Sequence, residues 1–240
     1  MSVACQGCRD GEAFPVPFTM AFHPIVDVAA GEVWGYEALV RGTEGQGAGT
    51  ILSAVTEANR YVFDQACRVK AIELAGTKLP PSSKARLSIN FMPNAVYEPR
   101  ACIRATLAAA ARTQFDPKRL MFEFTENERM EDVGHVANIV SEYKRMGFLT
   151  ALDDFGAGYA GLGLLARFQP DLIKIDMELI RGIEGSAARQ AIISGLVGIA
   201  RQLGVTVLAE GVESEAELVT LKAGGIQLFQ GYYFAKPKLE

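Results

Sequence analysis

The segment "FLTALDDFGAGYAGLGLLARFQPDLIKI", residues 148–175, contains the pattern that decides the fold. An apolar run ends at Asp153 and Asp154, a glycine-rich stretch and a short helical pattern follow, and a second apolar run begins at Leu172. Apolar strands that alternate with helices are typical of a parallel sheet buried on both faces. Adjacent aspartates are unfavourable strand residues because like charges repel, so their position at a strand end needs a separate explanation.

The same alternation of strand and helix continues in both directions from this segment. Further strands are predicted over residues 18–26, 32–40, 85–91, 119–125, 205–209 and 226–231. Helical patterns cover residues 50–76, 101–113, 132–146, 162–168, 187–203 and 214–223. Eight strands with repeated helices in a chain of 240 residues favour a (β/α)8 barrel over an open sheet.

The first two predicted strands depart from this regularity. The stretch between them, "DVAAGE" (residues 27–32), is too short for a helical crossover, so the two strands must pair antiparallel. The prediction is therefore an α/β fold, a modified (β/α)8 TIM-type barrel with an antiparallel strand near the N-terminus. Without a Pro- or Ser-rich linker or an internal repeat, we expect one domain over residues 18–240. Residues 1–17 are predicted to form an N-terminal extension, a candidate for disorder.

Composition and charge narrow the possible partners and the location. The chain has 24 Lys and Arg against 28 Asp and Glu, a net charge of −4, which argues against a nucleic-acid polymer as partner. No apolar stretch has the length that membrane insertion requires, and the N-terminus lacks the regions of a signal peptide. We therefore expect a cytoplasmic protein. Cys5 and Cys8 form half of a zinc-site pattern without a matching second pair and are interpreted as free cysteines.

Polar side chains stand near the end of each predicted strand after the first. In chain order they are Glu37, Asn90, Glu123, Asp153 with Asp154, Lys174, Glu210 and Gln230. The carboxyl ends of parallel barrel strands converge on one mouth, where active sites are built. Taken singly, each residue has an ordinary interpretation, such as a solvent-facing strand residue or a lysine that extends to the surface. Their occurrence at successive strand ends favours a shared site.

Five carboxylates in one pocket require compensation because like charges repel strongly at a low effective dielectric. Oxygen ligands without His or Cys favour hard divalent cations such as Mg2+ or Mn2+. The donors are numerous enough for two ions that share a bridging carboxylate, and adjacent aspartates suit that role. Two-metal sites typically hydrolyse phosphate esters. The residues alone leave a second interpretation open, a Schiff-base aldolase that uses Lys174.

Eight stretches together resemble a known family, the EAL-domain cyclic-di-GMP phosphodiesterases. They are "HPIVDV" (23–28), "GYEALVRG" (35–42), "LSINFMP" (87–93), "FEFTE" (122–126), "LDDFGAGYAGL" (152–162), "PDLIKID" (170–176), "LAEGVE" (208–213) and "FQGYYFAKP" (229–237). The resemblance runs in order from about residue 18 to the end. It implies metal-dependent hydrolysis of one phosphodiester bond of cyclic di-GMP to linear pGpG, with two Mg2+ or Mn2+ ions per active site. It also implies homodimers, with an interface near the loop after the paired aspartates.

The resemblance further implies roles for individual residues of this sequence. The ligands of the first metal would be Glu37, Asn90, Glu123 and Asp153, and those of the second would be Asp153, Asp154 and Glu210. Glu37, Lys174 and Gln230 match residues of the catalytic metal–water centre, and Lys174 would contact the attacking water. Substrate contacts are implied for Arg41 and Glu213, and Glu126 would steady the glycine-rich loop.

Two positions depart from the family pattern. His23 stands where Gln is frequent, and Ala160-Gly161 replaces Ser-Ser, which removes a hydroxyl that can fix the loop by a local hydrogen bond. Neither departure removes a residue of the proposed metal site. The alternative function within the family is a catalytically silent cyclic-di-GMP receptor that acts through a protein partner. Since degenerate members lose metal ligands and this chain retains them, the enzyme is the favoured hypothesis.

Overall fold

A computed structural model describes residues 14–80, 82–96, 98–125, 132–158 and 161–239. The strands are β1 (Phe18–Asp27), β2 (Glu32–Gly42), β3 (Arg86–Asn90), β4 (Leu120–Thr125), β5 (Leu149–Phe155), β6 (Leu172–Ile175), β7 (Thr206–Ala209), β8 (Leu228–Phe229) and β9 (Lys238–Leu239). The helices are α1 (Ala48–Leu52), α2 (Arg60–Lys78), α3 (Pro99–Cys102), α4 (Arg104–Thr113), α5 (Val133–Arg145), α6 (Gly161–Arg167), α7 (Met177–Ile180), α8 (Ala187–Leu203) and α9 (Glu215–Ala223). Short 3-10 turns cover Pro93–Ala95, Pro117–Arg119 and Ile183–Gly185.

Eight of these strands close into a barrel. Strands β2 to β8 follow one another in parallel, and β1 closes the ring by pairing antiparallel with both β8 and β2. The ninth, β9, pairs with β1 from outside the ring. The predicted modified barrel with an antiparallel strand near the N-terminus is confirmed. Its cause is the one expected, because the connection between β1 and β2 has no room for a crossover helix.

The barrel interior is closed below the mouth by apolar side chains. These side chains, one each from β1, β4, β5, β6, β7 and β8, are Ile25, Met121, Ala151, Leu172, Leu208 and Leu228. A larger cluster fills the space between the strands and the surrounding helices, and aromatic rings such as Phe122, Phe124 and Tyr143 are fully buried there. The strands therefore have an apolar outer face and an inner face whose lower part is also apolar.

Local side-chain bonds determine where several helices begin and end. Asp132, Ser186 and Ser214 cap α5, α8 and α9, each by accepting a hydrogen bond from a backbone N–H of the first turn. The predicted helix over residues 50–76 is wrong, because α1 ends at Leu52 and α2 begins at Arg60. Between them the side chain of Asn59 accepts from Thr56 N and donates to the Ala54 carbonyl, which holds the intervening segment in turns.

The structure describes the N-terminal part of the chain from Phe14 onward. Phe14 and Val16, which the sequence assigned to the extension, pack against the large apolar cluster, and the Phe14 ring lies 4.5 Å from that of Phe63. Cys5 and Cys8 lie outside the described residues. In the ranges that the structure covers, no helix combines the length and the apolar character needed to cross a bilayer.

Candidate active site

The period-two alternation of β-strands brings the predicted polar residues to one mouth. In each of the strands β4 to β8, a polar residue stands two positions after the apolar residue that closes the barrel interior. In chain order these polar residues are Glu123, Asp153, Lys174, Glu210 and Gln230. Residues at i and i+2 point to the same face, so these side chains lie directly above the apolar layer. Parallel pairing then brings them together at the carboxyl ends of the strands.

Lys174 is at the centre of this cluster. Its side chain is fully buried, and its Nζ lies 2.6 Å from Glu210 Oε1, 2.8 Å from Glu123 Oε2 and 3.1 Å from Asp153 Oδ1. A fourth carboxylate oxygen, Glu37 Oε2, is 3.5 Å away. Burial alone would lower the pKa of Lys174, but the surrounding carboxylates outweigh it and hold that pKa well above its ordinary value. A Schiff-base lysine requires a neutral amine, so this environment disfavours the aldolase alternative.

Glu37 is held in position from two sides by side-chain amides. Asn90 Nδ2 donates to Glu37 Oε1 and Gln230 Nε2 donates to Glu37 Oε2, both at 2.9 Å. The neighbouring carboxylate of Glu123 is fully buried and accepts a short hydrogen bond from the Ser88 hydroxyl. These contacts fix the orientation of the two carboxylates.

The paired aspartates occupy different backbone conformations. Asp153 continues β5 and is buried, whereas Asp154 has a positive φ of 54°. The β5–β6 register is interrupted between Leu152 and Phe155 at the same place. In a regular strand two consecutive side chains point to opposite faces, but the left-handed residue turns the chain so that both carboxylates reach the mouth. Asp and Asn tolerate this conformation better than most residues, which explains why the position suits an aspartate.

Burial and crowding disfavour the charged forms of several carboxyl groups. Burial, reinforced by Glu37 and Asp153 and opposed by Lys174, raises the pKa of Glu123 to about 8. Burial and the adjacent Asp153 raise the pKa of Asp154 to about 6. More negative charge is therefore concentrated here than a single ammonium group compensates, and additional positive charge would be favourable.

The donor set fits two hard cations. Carboxylate oxygens of Glu37, Glu123 and Asp153 lie within 4.8 Å of one another, and those of Asp153, Asp154 and Glu210 form a second such group. The two groups share Asp153, as a bridging ligand requires. Asn90, which reaches Glu37 through its Nδ2, would have to present its Oδ1 to act as a ligand. The donors that the structure brings together are all oxygens, the chemistry that Mg2+ and Mn2+ prefer.

The other predicted residues lie around this centre. Arg41 is on β2, four residues beyond Glu37, and its Nη1 donates to the Val40 carbonyl at 2.7 Å. Glu213 follows β7, and its side chain is half exposed and paired with Arg181 at 2.9 Å. His23 lies on β1, where its Nε2 is 3.0 Å from the Ala235 carbonyl oxygen and burial lowers its pKa. Glu126 and Ala160 lie outside the described residues, while Gly161 begins α6.

The sequence did not indicate three residues that support the site. Ser88 precedes Asn90 by two residues, so the same alternation would have assigned it to the inner face. Glu217 accepts hydrogen bonds from the backbone N–H groups of Glu213, Ser214 and Gly182, which fixes the loop after β7. Its capping-box spacing from Ser214 is visible in the sequence. Arg181 bonds Glu213, Glu217 and the Gly211 carbonyl, and no local pattern predicts that.

Comparison with solved structures gives close matches in fold. A standalone versatile EAL protein from Vibrio cholerae O395, in a c-di-GMP bound form, has a TM-score of 0.90 and 53% sequence identity and covers 95% of this chain and 94% of that chain. BlrP1 of Klebsiella pneumoniae, in a manganese and cyclic di-GMP complex at pH 9.0, has a TM-score of 0.85 and 36% identity. That match covers 95% of this chain and 58% of the other.

Comparison with curated proteins finds longer relatives. The blue light- and temperature-regulated antirepressor BluF of Escherichia coli (strain K12) is 35% identical over 219 residues, 91% of this chain and 54% of that protein. The cyclic di-GMP phosphodiesterase NbdA of Pseudomonas aeruginosa is 29% identical over 248 residues, 97% of this chain and 30% of that protein. The chain thus spans about half or less of the length of these two relatives.

Fold and site together define a modified (β/α)8 barrel with an acidic centre at the carboxyl ends of its strands. The family model described as the EAL domain matches residues 17–237. The chain belongs to the EAL domain family, as the sequence motifs predicted.

Proposed function

We propose that this chain hydrolyses one phosphodiester bond of cyclic di-GMP to give linear pGpG, with two Mg2+ or Mn2+ ions at the acidic centre. The observation that carries the proposal is the pair of carboxylate groups that share Asp153 around the buried Lys174. Further support comes from the similarity to NbdA, which is named a cyclic di-GMP phosphodiesterase, and to a Vibrio cholerae EAL protein in a c-di-GMP bound form.

The proposed roles follow from the positions of the side chains. Glu37, Asn90, Glu123 and Asp153 would hold one cation, and Asp153, Asp154 and Glu210 would hold the other. Divalent cations bound there would lower the pKa of the attacking water and would stabilise the negative charge on the phosphate in the transition state. Lys174 would orient the water by donating a hydrogen bond from its Nζ, and Gln230 would keep Glu37 aligned through the 2.9 Å bond between them.

The residues around the mouth would bind the substrate. The planar guanidinium of Arg41 is suited to a phosphate oxygen pair. Glu213, held by Arg181 and by the Glu217 network, would contact the dinucleotide or its loop. For Glu126 we propose a role in steadying the glycine-rich loop, by its motif position.

The decisive test is cyclic di-GMP turnover by the parent chain, by Glu37→Gln and by Glu57→Gln as a matched control on an exposed residue. We expect pGpG formation with Mg2+ or Mn2+, its abolition by a chelator, and a loss of at least about a hundredfold in kcat for Glu37→Gln, comparable to losing a directly placed catalytic group. The Glu57→Gln variant should match the parent. Equal activity of the parent and Glu37→Gln would refute the assignment.

The receptor alternative is separated by the same assay combined with a binding measurement. A silent receptor would bind cyclic di-GMP without forming pGpG in the presence of either metal. We favour the enzyme because both carboxylate groups are assembled, and a receptor has no need for a bridged acidic pair.

We also propose that the domain over residues 18–240 acts as a cytoplasmic homodimer. An interface near the loop after the paired aspartates would cover Leu162 in the first turn of α6, which is 57% exposed. Light scattering of the parent and of Leu162→Glu tests this. A parent chain that is monomeric at working concentrations would contradict it.

A further inference from the structure

The barrel wall formed by β1 and β2 has an incompletely covered outer face. In β1 the side chains of Ala21, His23 and Ile25 are buried, whereas the alternate residues Phe22, Pro24 and Val26 are only half-buried. Strand β6, by contrast, is buried on both faces along its whole length. The difference has a simple cause, because the β1–β2 connection is a turn that supplies no helix to cover this wall.

The uncovered face is the floor of a cavity of about 570 Å3. Its walls are the outer face of β1 and β2, the last turn of α2 and the segment 234–238. The apolar lining includes Phe22, Val26, Val33, Tyr36 and Phe234. This volume lies within the range of about 300–1,000 Å3 that is typical of small-molecule sites, and such sites are mostly apolar.

Three lysines stand around this apolar lining. Lys78, Lys236 and Lys238 border the cavity and are exposed. None of the three ammonium groups forms an ion pair with a described residue, and of the described residues that line the cavity not one is acidic. Lys236 Nζ instead lies 5.3 Å from the centre of the Tyr232 ring. The cavity therefore combines an apolar body with a local charge opposite to the −4 of the whole chain.

We propose that this cavity is a second ligand site, which takes a small molecule with an apolar body and an anionic group. The apolar lining would bury the body of the ligand, and the lysines would attract and orient its anion. A small ligand is favoured over a protein surface because the cavity is walled by two strands, a helix end and a chain segment, a concave shape that a flat interface does not fill. The site is separate from the acidic centre, because its lining includes none of the residues of the two carboxylate groups.

The cavity and the acidic centre are on opposite faces of the same two strands. Tyr36 lines the cavity, and the next residue, Glu37, points to the carboxylate cluster. The His23 ring contacts the carbonyl of Ala235, a residue that also lines the cavity. A ligand in the cavity thus has a direct structural route to the position of Glu37. Any effect of such a ligand on turnover rests on the proposed phosphodiesterase function, whereas its binding does not.

Two fluorescent probes with the same aromatic body test the proposal by binding alone. Anilinonaphthalene sulfonate carries an anion, and N-phenylnaphthylamine is neutral. For the triple variant Lys78→Glu, Lys236→Glu, Lys238→Glu we expect the Kd of the sulfonate to rise at least about tenfold, which corresponds to 1.4 kcal/mol. The Kd of the neutral probe should change less than about twofold, because surface charges do not act on it. An unchanged Kd for the sulfonate would overturn the proposal.

A matched pair of variants locates the bound probe. Val33→Glu places a carboxylate in the lining of the cavity, and Val219→Glu makes the same change at an exposed valine on α9. Only Val33→Glu should weaken binding of both probes, while thermal unfolding shows that both variants fold. Equal binding by the two variants would place the probe elsewhere and refute the site. Light scattering that shows a parent dimer, dissociated by Val33→Glu, would instead identify this face as an interface between copies and overturn the proposal.

Discussion

The charge balance around Lys174 gives the sharpest prediction, which concerns the variant Lys174→Met. Methionine has a similar length and no charge, so the substitution removes the ammonium group and leaves the packing nearly unchanged. Four carboxylates within 3.5 Å of Lys174 Nζ then lose their shared cation. In the absence of divalent metal we expect the folded state to be strongly destabilised.

The magnitude follows from the burial of the group. Removal of one partner from a fully buried ion pair costs about 3–5 kcal/mol, and Lys174 is fully buried. A protein of this size loses roughly 2–4 °C in its unfolding midpoint per kcal/mol, so we expect a decrease on the order of 10 °C. The decrease should be larger in alkaline solution than at neutral pH, because Glu123, whose pKa burial raises to about 8, then gives up its proton in the parent, and the variant lacks the ammonium that would compensate the charge.

The assay is thermal unfolding with a chelator and again with saturating Mn2+. If the acidic centre binds cations as proposed, Mn2+ replaces the lost positive charge and raises the midpoint of Lys174→Met more than that of the parent. Lys144→Met is the matched control, since Lys144 is 40% exposed and pairs with Asp171 at the surface, where such a pair is worth at most about 1 kcal/mol. Two results would refute this reasoning. One is an equal unfolding midpoint for Lys174→Met and the parent in chelator, and the other is an equal increase of both midpoints on addition of Mn2+.

Three further predictions concern pH, packing and substrate contact. Because the folded pKa of Glu123 is raised from 4.5 to about 8, its contribution favours folding in acid and is lost as the pH rises through that interval. The midpoint of thermal unfolding without metal should therefore decrease as the pH rises between these values, and it should decrease less in Glu123→Gln. An equal dependence of the midpoint on pH in the two proteins would contradict this. Phe122→Ala should lower the free energy of unfolding, measured with denaturant, by about 3–5 kcal/mol, because the ring is fully buried among aromatic neighbours. The control Ile192→Ala, at a residue that is 48% exposed, should lower it by less than about 1 kcal/mol. Arg41→Lys should raise the KM for cyclic di-GMP about tenfold, because the planar pair of N–H donors is lost. Arg112→Lys, at an exposed position, is the control. An unchanged KM for Arg41→Lys would exclude a contact between Arg41 and the substrate.

Elements with strong periodicity could be predicted from the sequence. The strand over Leu172–Ile175 and the helix over Ala187–Leu203 have the predicted bounds. The helix predicted over residues 50–76 failed because the apolar pattern continues across a break that the hydrogen bonds of Asn59 create. Periodicity records which face of an element is buried, but it does not record a side chain that competes with the helix for backbone groups.

For the site, too, the sequence predicted some features and not others. Strand alternation was sufficient to predict that polar residues at successive strand ends would converge on one mouth. It did not predict that Arg181 would hold Glu213, because that contact joins residues that are far apart in the chain and follow different strands. The apolar cavity behind Glu37 was also absent from the prediction, since it depends on which barrel wall lacks a helix.

By itself, the sequence determined the class of fold, the antiparallel entry strand and the set of residues that face the mouth, because each of these follows from local periodicity and connection length. Only the tertiary structure decided how those residues meet. It places one ammonium among four carboxylates, and it turns Asp154 through a positive φ so that consecutive aspartates serve the same centre. The physical reason is that electrostatic energy depends on distances of a few ångströms between residues from different strands, and chain order does not encode those distances.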